Sequence, residues 1–427
     1  SPENLEIEPK MRVAWRLPRM FRASRSAGAA RYRRIAMGVG AAAGFVGAAT
    51  GIGAAAAAAP GEPRVFCFGS AQYNQLGLGT GKNMEIPTHI PSLDAEQIEQ
   101  ISAGLHTTAA VTRSGEVYTW GRGQRLVLGH GDRSEVPYPR VVEALRDAHV
   151  SHVALSENVA AAVDKEGSVY TWGSRALGRQ GKGNLPEKVD IKEIRSVSCG
   201  PAHVLAVDGE GRLYAWGEGY EGALGLGDSD DRKTPTVVES LGRVKQVSCG
   251  AAFSLVVTED GKLYSFGAGD YGQTAQGGGV NASRYTRTPT LVNALQRHKI
   301  THVAAGVYHA ACVTDEGKVF TWGYGKDGQC GHGDRAVHSP LPRQLQGLAG
   351  VKAVKVSCGD GHTAVLCDQG DLYVFGRGRD GQLGRGDQLE SVASYRTKPR
   401  SVEFFKRQGM RVLQVALGGY HSVVLAK

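Results

Sequence analysis

An aromatic residue followed by glycine recurs seven times in this chain: Phe68-Gly69, Trp120-Gly121, Trp172-Gly173, Trp216-Gly217, Phe266-Gly267, Trp322-Gly323 and Phe375-Gly376. The glycine-to-glycine intervals are 52, 52, 44, 50, 56 and 53 residues. A period near fifty points to propeller blades rather than helical repeats. Within each unit, apolar residues alternate at period two on both sides of a glycine-containing turn (Gly115, Gly167, Gly211, Gly261, Gly317, Gly370), which predicts β-hairpins. A later Gly-x-L-Gly-x-Gly-Asp string is expected to let backbones converge near the propeller axis. Pro87, Pro137, Pro235, Pro289 and Pro342 then mark exposed strand starts or loops. The sixty glycines of the 427 residues are spread along the chain, so they serve turns rather than a disordered tract.

The ends of the repeat region complete one another. Residues 65–79 supply only the second half of a unit, and 415–427 only the first half. Joined, they make a seventh blade and remove two exposed sheet edges. The predicted fold is therefore all-β, a seven-bladed propeller spanning 65–427.

The elements Cys-Gly-x-x-His, aromatic-Gly and Gly-x-L-Gly-x-Gly recur in that order, as in 197–228. This pattern resembles the regulator-of-chromosome-condensation repeat family over about 65–427. The unit at 153–186 departs most, and Phe253 stands where the pattern expects histidine. The resemblance implies a seven-bladed propeller that binds proteins. In the family's best-known activity that means guanine-nucleotide exchange on a small GTPase, which needs no local catalytic motif.

No residue pattern points to catalysis or to a cofactor. His106, His203, His309, His362 and His421 are read as one histidine per blade, too far apart to share a metal and each bonded to a neighbouring turn. His130 and His332 read as loop substitutions. Asp132, Asp228, Asp334 and Asp387 are expected to cap turns rather than hold calcium. Cys199, Cys249 and Cys358 share a V-S-C-G context and read as small buried residues, not a disulfide framework. Two insertions carry the candidate partner-binding residues. Residues 273–288 present Arg284, Tyr285 and Arg287; residues 388–410 present Tyr395, Phe404 and Phe405. Arg and aromatic groups on loops of a rigid scaffold are the usual material of recognition.

The first sixty residues are different in kind. Residues 1–34 form a basic arm, Arg-rich and acid-free from Lys10 to Arg34, with Trp15, Leu17, Met20 and Phe21 interspersed. That is the composition of a mitochondrial import sequence. Residues 35–59 carry no charge, long enough to cross a bilayer, but hold twelve alanines and six glycines. Gly40, Gly44, Gly47 and Gly51 would let a second helix pack closely. Residues 60–64 are a linker. The positive-inside rule places the N-terminus in the matrix and the propeller in the intermembrane space.

The chain carries a formal charge of +9, but six of those charges belong to residues 1–60, so the body is nearly balanced and no nucleic-acid partner is expected. The expected function is a non-catalytic, membrane-anchored scaffold, an accessory or assembly subunit of a mitochondrial inner-membrane, possibly respiratory, complex. The alternatives are exchange on a small GTPase and chromatin binding.

Overall fold

The structure is a computed structural model that describes residues 61–175, 184–277, 284–335, 338–348, 350–386 and 395–427. The expected basic arm and the segment 35–59, with Gly40, Gly44, Gly47 and Gly51, lie outside these residues, as does Asp387. Among the described residues no helix is long and apolar enough to cross a membrane.

Twenty-eight strands pair into seven four-stranded antiparallel sheets. Blades 1 to 6 follow chain order (98–141, 150–189, 194–237, 244–291, 300–344 and 353–401). The seventh takes Val412–Leu417 and His421–Ala426 from one end of the body and Arg64–Gly69 and Met84–His89 from the other. Val65 lies opposite Leu425 and Cys67 opposite Val423 in that sheet. The first strands of successive blades touch one another around the whole ring and so line the axis. Second strands such as His203–Asp208 are buried throughout, and fourth strands such as Tyr395–Ser401 form the outer edge.

The aromatic-Gly pair closes each third strand. In all seven cases the glycine has φ between 98° and 115°. A Cβ there would stand 2.4–2.6 Å from the carbonyl oxygen that ends the loop between first and second strands. That backbone turn lets the next N–H reach the same oxygen, as Tyr324 does with Tyr308 at 2.8 Å. Only glycine fits.

The Gly-x-L-Gly-x-Gly string does not sit at the axis, contrary to expectation. Its middle glycine lies against the aromatic ring of the following blade: Gly77 against Trp120, Gly331 against Phe375 and Gly384 against Phe68. Its last glycine donates to the outer strand of that blade, Gly79 to Pro137 O at 3.1 Å and Gly333 to Thr397 O at 2.6 Å. The string is thus packed on a neighbouring blade, because a flat ring face tolerates no side chain there.

Blade interfaces are sealed by a buried polar relay. His421 Nε2 meets Thr108 Oγ1 of blade 1 at 2.9 Å, and Thr108 donates onward to Gln75 O at 2.7 Å. The same relay runs from His362 to Ser422 and Gln382 O, from His309 to Thr363 and Gln329 O, and from His203 to Ser254 and Ala223 O. A carbonyl can only accept, so the hydroxyl proton is committed to it and the imidazole must donate through Nε2–H. Burial lowers the pKa of His203 to about 4 and those of His309, His362 and His421 to about 3, so each ring is neutral. The aromatic residue of the third strand joins in: the Trp120 indole donates to Gln75 O at 3.0 Å.

Where the histidine is absent, so is its acceptor. Thr107, Val159 and Phe253 occupy the histidine position, and the facing residues in the next blades are Ala160, Val204 and Ala310. His106 therefore falls outside this set. The loop has the usual length, but its histidine stands one position early, so Thr107, not His106, lies opposite the aromatic-Gly glycine. Along the axis, side chains of first strands clamp the next blade's backbone. Gln100 exchanges two bonds with Val153 (3.0 and 3.1 Å), and Ser102, Ser198, Ser248 and Ser357 accept from Leu155, Cys249, Ala305 and Leu417. Cys199 and Cys249 are buried as expected, whereas Cys358 is partly exposed.

Two outcomes follow. Ser422→Ala strands a buried N–H and a carbonyl and is expected to cost about 1–3 kcal/mol. The pair His362→Phe with Ser422→Ala, which copies Phe253 and Ala310, should cost less than the sum of the single changes in a denaturant-unfolding cycle. Additive losses would show that the relay is not coupled. The second outcome concerns pH. The unfolded chain takes up protons on these histidines below about 6.5 while the folded ring does not, so stability is full above that pH and falls as pH drops toward 4. The slope should be about 1.4 kcal/mol per pH unit for each relay histidine. Thermal unfolding between neutral pH and pH 5 would reveal it, with the double variant falling less steeply.

Candidate protein-binding surface

The exposed positive charge of the body is uneven. The outer strands of blades 3 to 6 are Arg232–Val237, Tyr285–Leu291, His338–Gln344 and Tyr395–Ser401. They carry Arg232, Lys233, Arg287, Arg343, Arg396, Lys398 and Arg400 and no carboxylate. The outer strands of blades 7, 1 and 2 (Met84–His89, Val136–Val141, Glu187–Val189) hold Arg140 and Lys188 against Glu85 and Glu187.

Four of the sequence-predicted residues lie on this basic half of the rim. Arg284 is exposed just before its strand, 4.0 Å from Asp270. The Arg287 guanidinium covers the Tyr285 ring at 4.6 Å and donates to Ser229 of blade 3 at 3.2 Å. Tyr395, two blades further on, lies under Arg335 of blade 5 at 4.4 Å. Arginine laid over tyrosine is thus a repeated arrangement, made within one strand by Arg287 and Tyr285 and between blades by Arg335 and Tyr395.

Phe404 and Phe405 are elsewhere. They belong to the short helix Glu403–Arg407, in the connection to blade 7 at the other end of the strands. Phe405 is 2% exposed and packs edge-on against Phe66 at 5.4 Å; half-buried Phe404 meets the same ring at 5.8 Å. Phe405 therefore fills the blade core and is not presented to a partner. The described part of the stretch read as one surface loop holds the strand Tyr395–Ser401 and then the helix, whose apolar side turns inward.

A second cluster, with no signal in the sequence pattern, lies where loops between first and second strands meet those between third and fourth. Arg377 bonds Asp327 at 2.5 Å and Asp360 at 3.4 Å, and covers Tyr420 at 5.5 Å. His106 stacks on Tyr420 at 5.4 Å and meets Tyr73 edge-on at 4.7 Å; Arg122 covers Tyr73 at 4.3 Å. Further round, Tyr271 contacts Tyr308 and Tyr324, each at 5.1 Å. Burial, helped by Arg122, lowers His106 to about 4, and burial raises Asp360 despite Arg377. His130 and His332 bond Thr119 and Thr321 within their own blades. Asp132 and Asp228 accept backbone N–H groups two residues on, at 2.7 and 3.0 Å, as turn caps do.

The regulator of chromosome condensation (RCC1) repeat model matches seven consecutive stretches: 63–111, 114–163, 166–207, 210–257, 260–313, 316–366 and 369–425. Among curated proteins, the Arabidopsis thaliana ultraviolet-B receptor UVR8 is 33% identical over 356 residues, covering 81% of this chain and 79% of its own. RUG3, a mitochondrial RCC1 domain-containing protein of the same plant, is 29% identical and covers 84% of this chain and 72% of its own. Among solved structures, Prp20p of Saccharomyces cerevisiae, described with its binding to Gsp1p and histones, superposes with a TM-score of 0.74. It is 24% identical, covers 87% of this chain and 92% of its own, and supports the fold alone.

Removing the cation from the second cluster has a definite consequence. Arg377→Met leaves Asp327 and Asp360 as neighbouring like charges and should lower stability at neutral pH by about 1–3 kcal/mol. The deficit should shrink as pH falls, because burial already raises Asp360 and the loss of Arg377 raises it further, and Asp360→Asn should recover part of it. Urea unfolding at neutral pH and at lower pH measures both effects.

Proposed function

Because this chain belongs to the regulator of chromosome condensation (RCC1) repeat family, we propose that it acts as a protein-binding scaffold rather than a catalyst. Its setting in this reading is a mitochondrial inner-membrane complex of the respiratory kind, in which it serves as an accessory or assembly subunit. The observation that carries this reading is the division of labour among its polar side chains. The relay histidines, their hydroxyl partners and the axial glutamines are used up in holding blades together. Arginine and tyrosine are displayed on loops and rim. A rigid ring with adaptable surface groups suits recognition.

Membrane anchorage rests on the sequence. Residues 35–59 are uncharged, and the stretch before them has the make-up of an import signal. RUG3, a relative over most of the chain, is itself described as mitochondrial. In this reading Gly40, Gly44, Gly47 and Gly51 pack the anchor on a partner helix, the basic arm stays in the matrix, and the propeller lies in the intermembrane space. Nucleotide exchange on a small GTPase is the second reading, favoured by the family and by Prp20p's described binding to Gsp1p.

Carbonate extraction of isolated mitochondria tests the proposal. The full chain should stay in the membrane pellet, and purification in mild detergent should bring down inner-membrane subunits. Release into the supernatant, or recovery with a small GTPase as the sole stoichiometric partner, would contradict it.

A further inference from the structure

We infer that the basic half of the rim, on the outer strands of blades 3 to 6, is the docking surface for an acidic protein segment, a reading that rests on the protein-binding role proposed above. Edge protection alone does not explain the charge. Basic side chains and proline both blunt exposed strands. Proline is already present on the outer strands of blades 7 and 1 (Pro87, Pro137, Pro139) as well as on those of blades 3 to 6 (Pro235, Pro289, Pro340, Pro342, Pro399). Loops of the preceding blade also bond to the rim on both sides of the ring, at Glu85 and Pro137 and at Arg287 and Thr397. With the edges blunted everywhere, seven basic residues without one carboxylate on four successive outer strands remain unaccounted for. Lys233, Lys398 and Arg400 are exposed and form no ion pair among the described residues.

The chemistry favours carboxylates over a phosphate backbone. Arg232 and Arg343 already take carboxylates from Asp228 and Asp334, at 2.6 and 3.0 Å. The tyrosines that could stack on bases are capped by Arg287 and Arg335. The covered face of such a ring is closed to a base, whereas the guanidinium, its Nε donated to Ser229 in Arg287 and to Lys326 O in Arg335, still has Nη1 to offer a carboxylate. Asp228, Asp230, Asp231, Asp270 and Asp334 lie on the loops of the same blades and would repel a continuous polyanion. A folded or extended protein segment can place its acids between them.

The test uses the full chain in nonionic detergent and a fluorescein-labelled peptide whose glutamates are spaced by glycine and serine, followed by anisotropy. The wild-type chain should bind with an affinity that falls as salt rises. The variant Lys233→Glu, Lys398→Glu, Arg400→Glu should bind about tenfold more weakly or worse, while Arg140→Glu with Lys188→Glu on the opposite half changes affinity less than about twofold. Absence of wild-type binding, equal losses in the two variants, or tighter binding of an oligouridylate that the triple variant loses would each overturn the inference. None of those results alters carbonate retention or the subunits recovered in detergent, so the rim reading can fail while the scaffold reading stands.

Discussion

Everything in this ring depends on how one blade grips the next. A four-stranded sheet has two faces to bury, and a propeller buries both only if each blade seats squarely on its neighbour. Here apolar contact is supplemented by a polar relay in which a neutral imidazole gives its proton to a hydroxyl and the hydroxyl gives its own to a carbonyl. The relay is directional, with every Nε2–H and hydroxyl proton in it committed, which makes it costly to interrupt. The chain respects that constraint across repeats: four histidines face four hydroxyls, and the three positions without histidine face Ala160, Val204 and Ala310.

Such locking shapes the function. The relay histidines and Cys199 and Cys249 are buried, and burial moves their pKa values away from reactivity; Cys249, for example, is pushed up to about 12. What faces outward is Arg, Lys, Tyr and Asp on loops and outer strands. Partner choice therefore falls to the rim and loops, while the inner strands vary little from blade to blade.

Much of the architecture was legible because a fifty-residue period and aromatic-Gly pairs are long-range signals that survive local noise. The half-units at 65–79 and 415–427 could be matched by eye. The relay was not read, although it is written in the sequence, since it links a residue in one repeat to a residue in the next and each repeat was aligned only on itself. His106 likewise resembles the relay histidines in sequence but stands one position before their place, which Thr107 holds. The site was half legible. Arg284, Tyr285, Arg287 and Tyr395 stood out as Arg and Tyr in insertions. Arg335 and Arg343 did not, because their place on the rim comes from the ring's curvature, and Phe405 misled because composition cannot tell an inward helix face from a loop.

Nitrogen-15 NMR of the histidine side chains tests the central claim most directly. Four imidazoles are predicted to be neutral, protonated on Nε2, slow to exchange with solvent and unchanged from neutral pH to pH 5. Finding those rings protonated on Nδ1, or gaining a proton between neutral pH and pH 5, would contradict the relay and the account of the ring built on it.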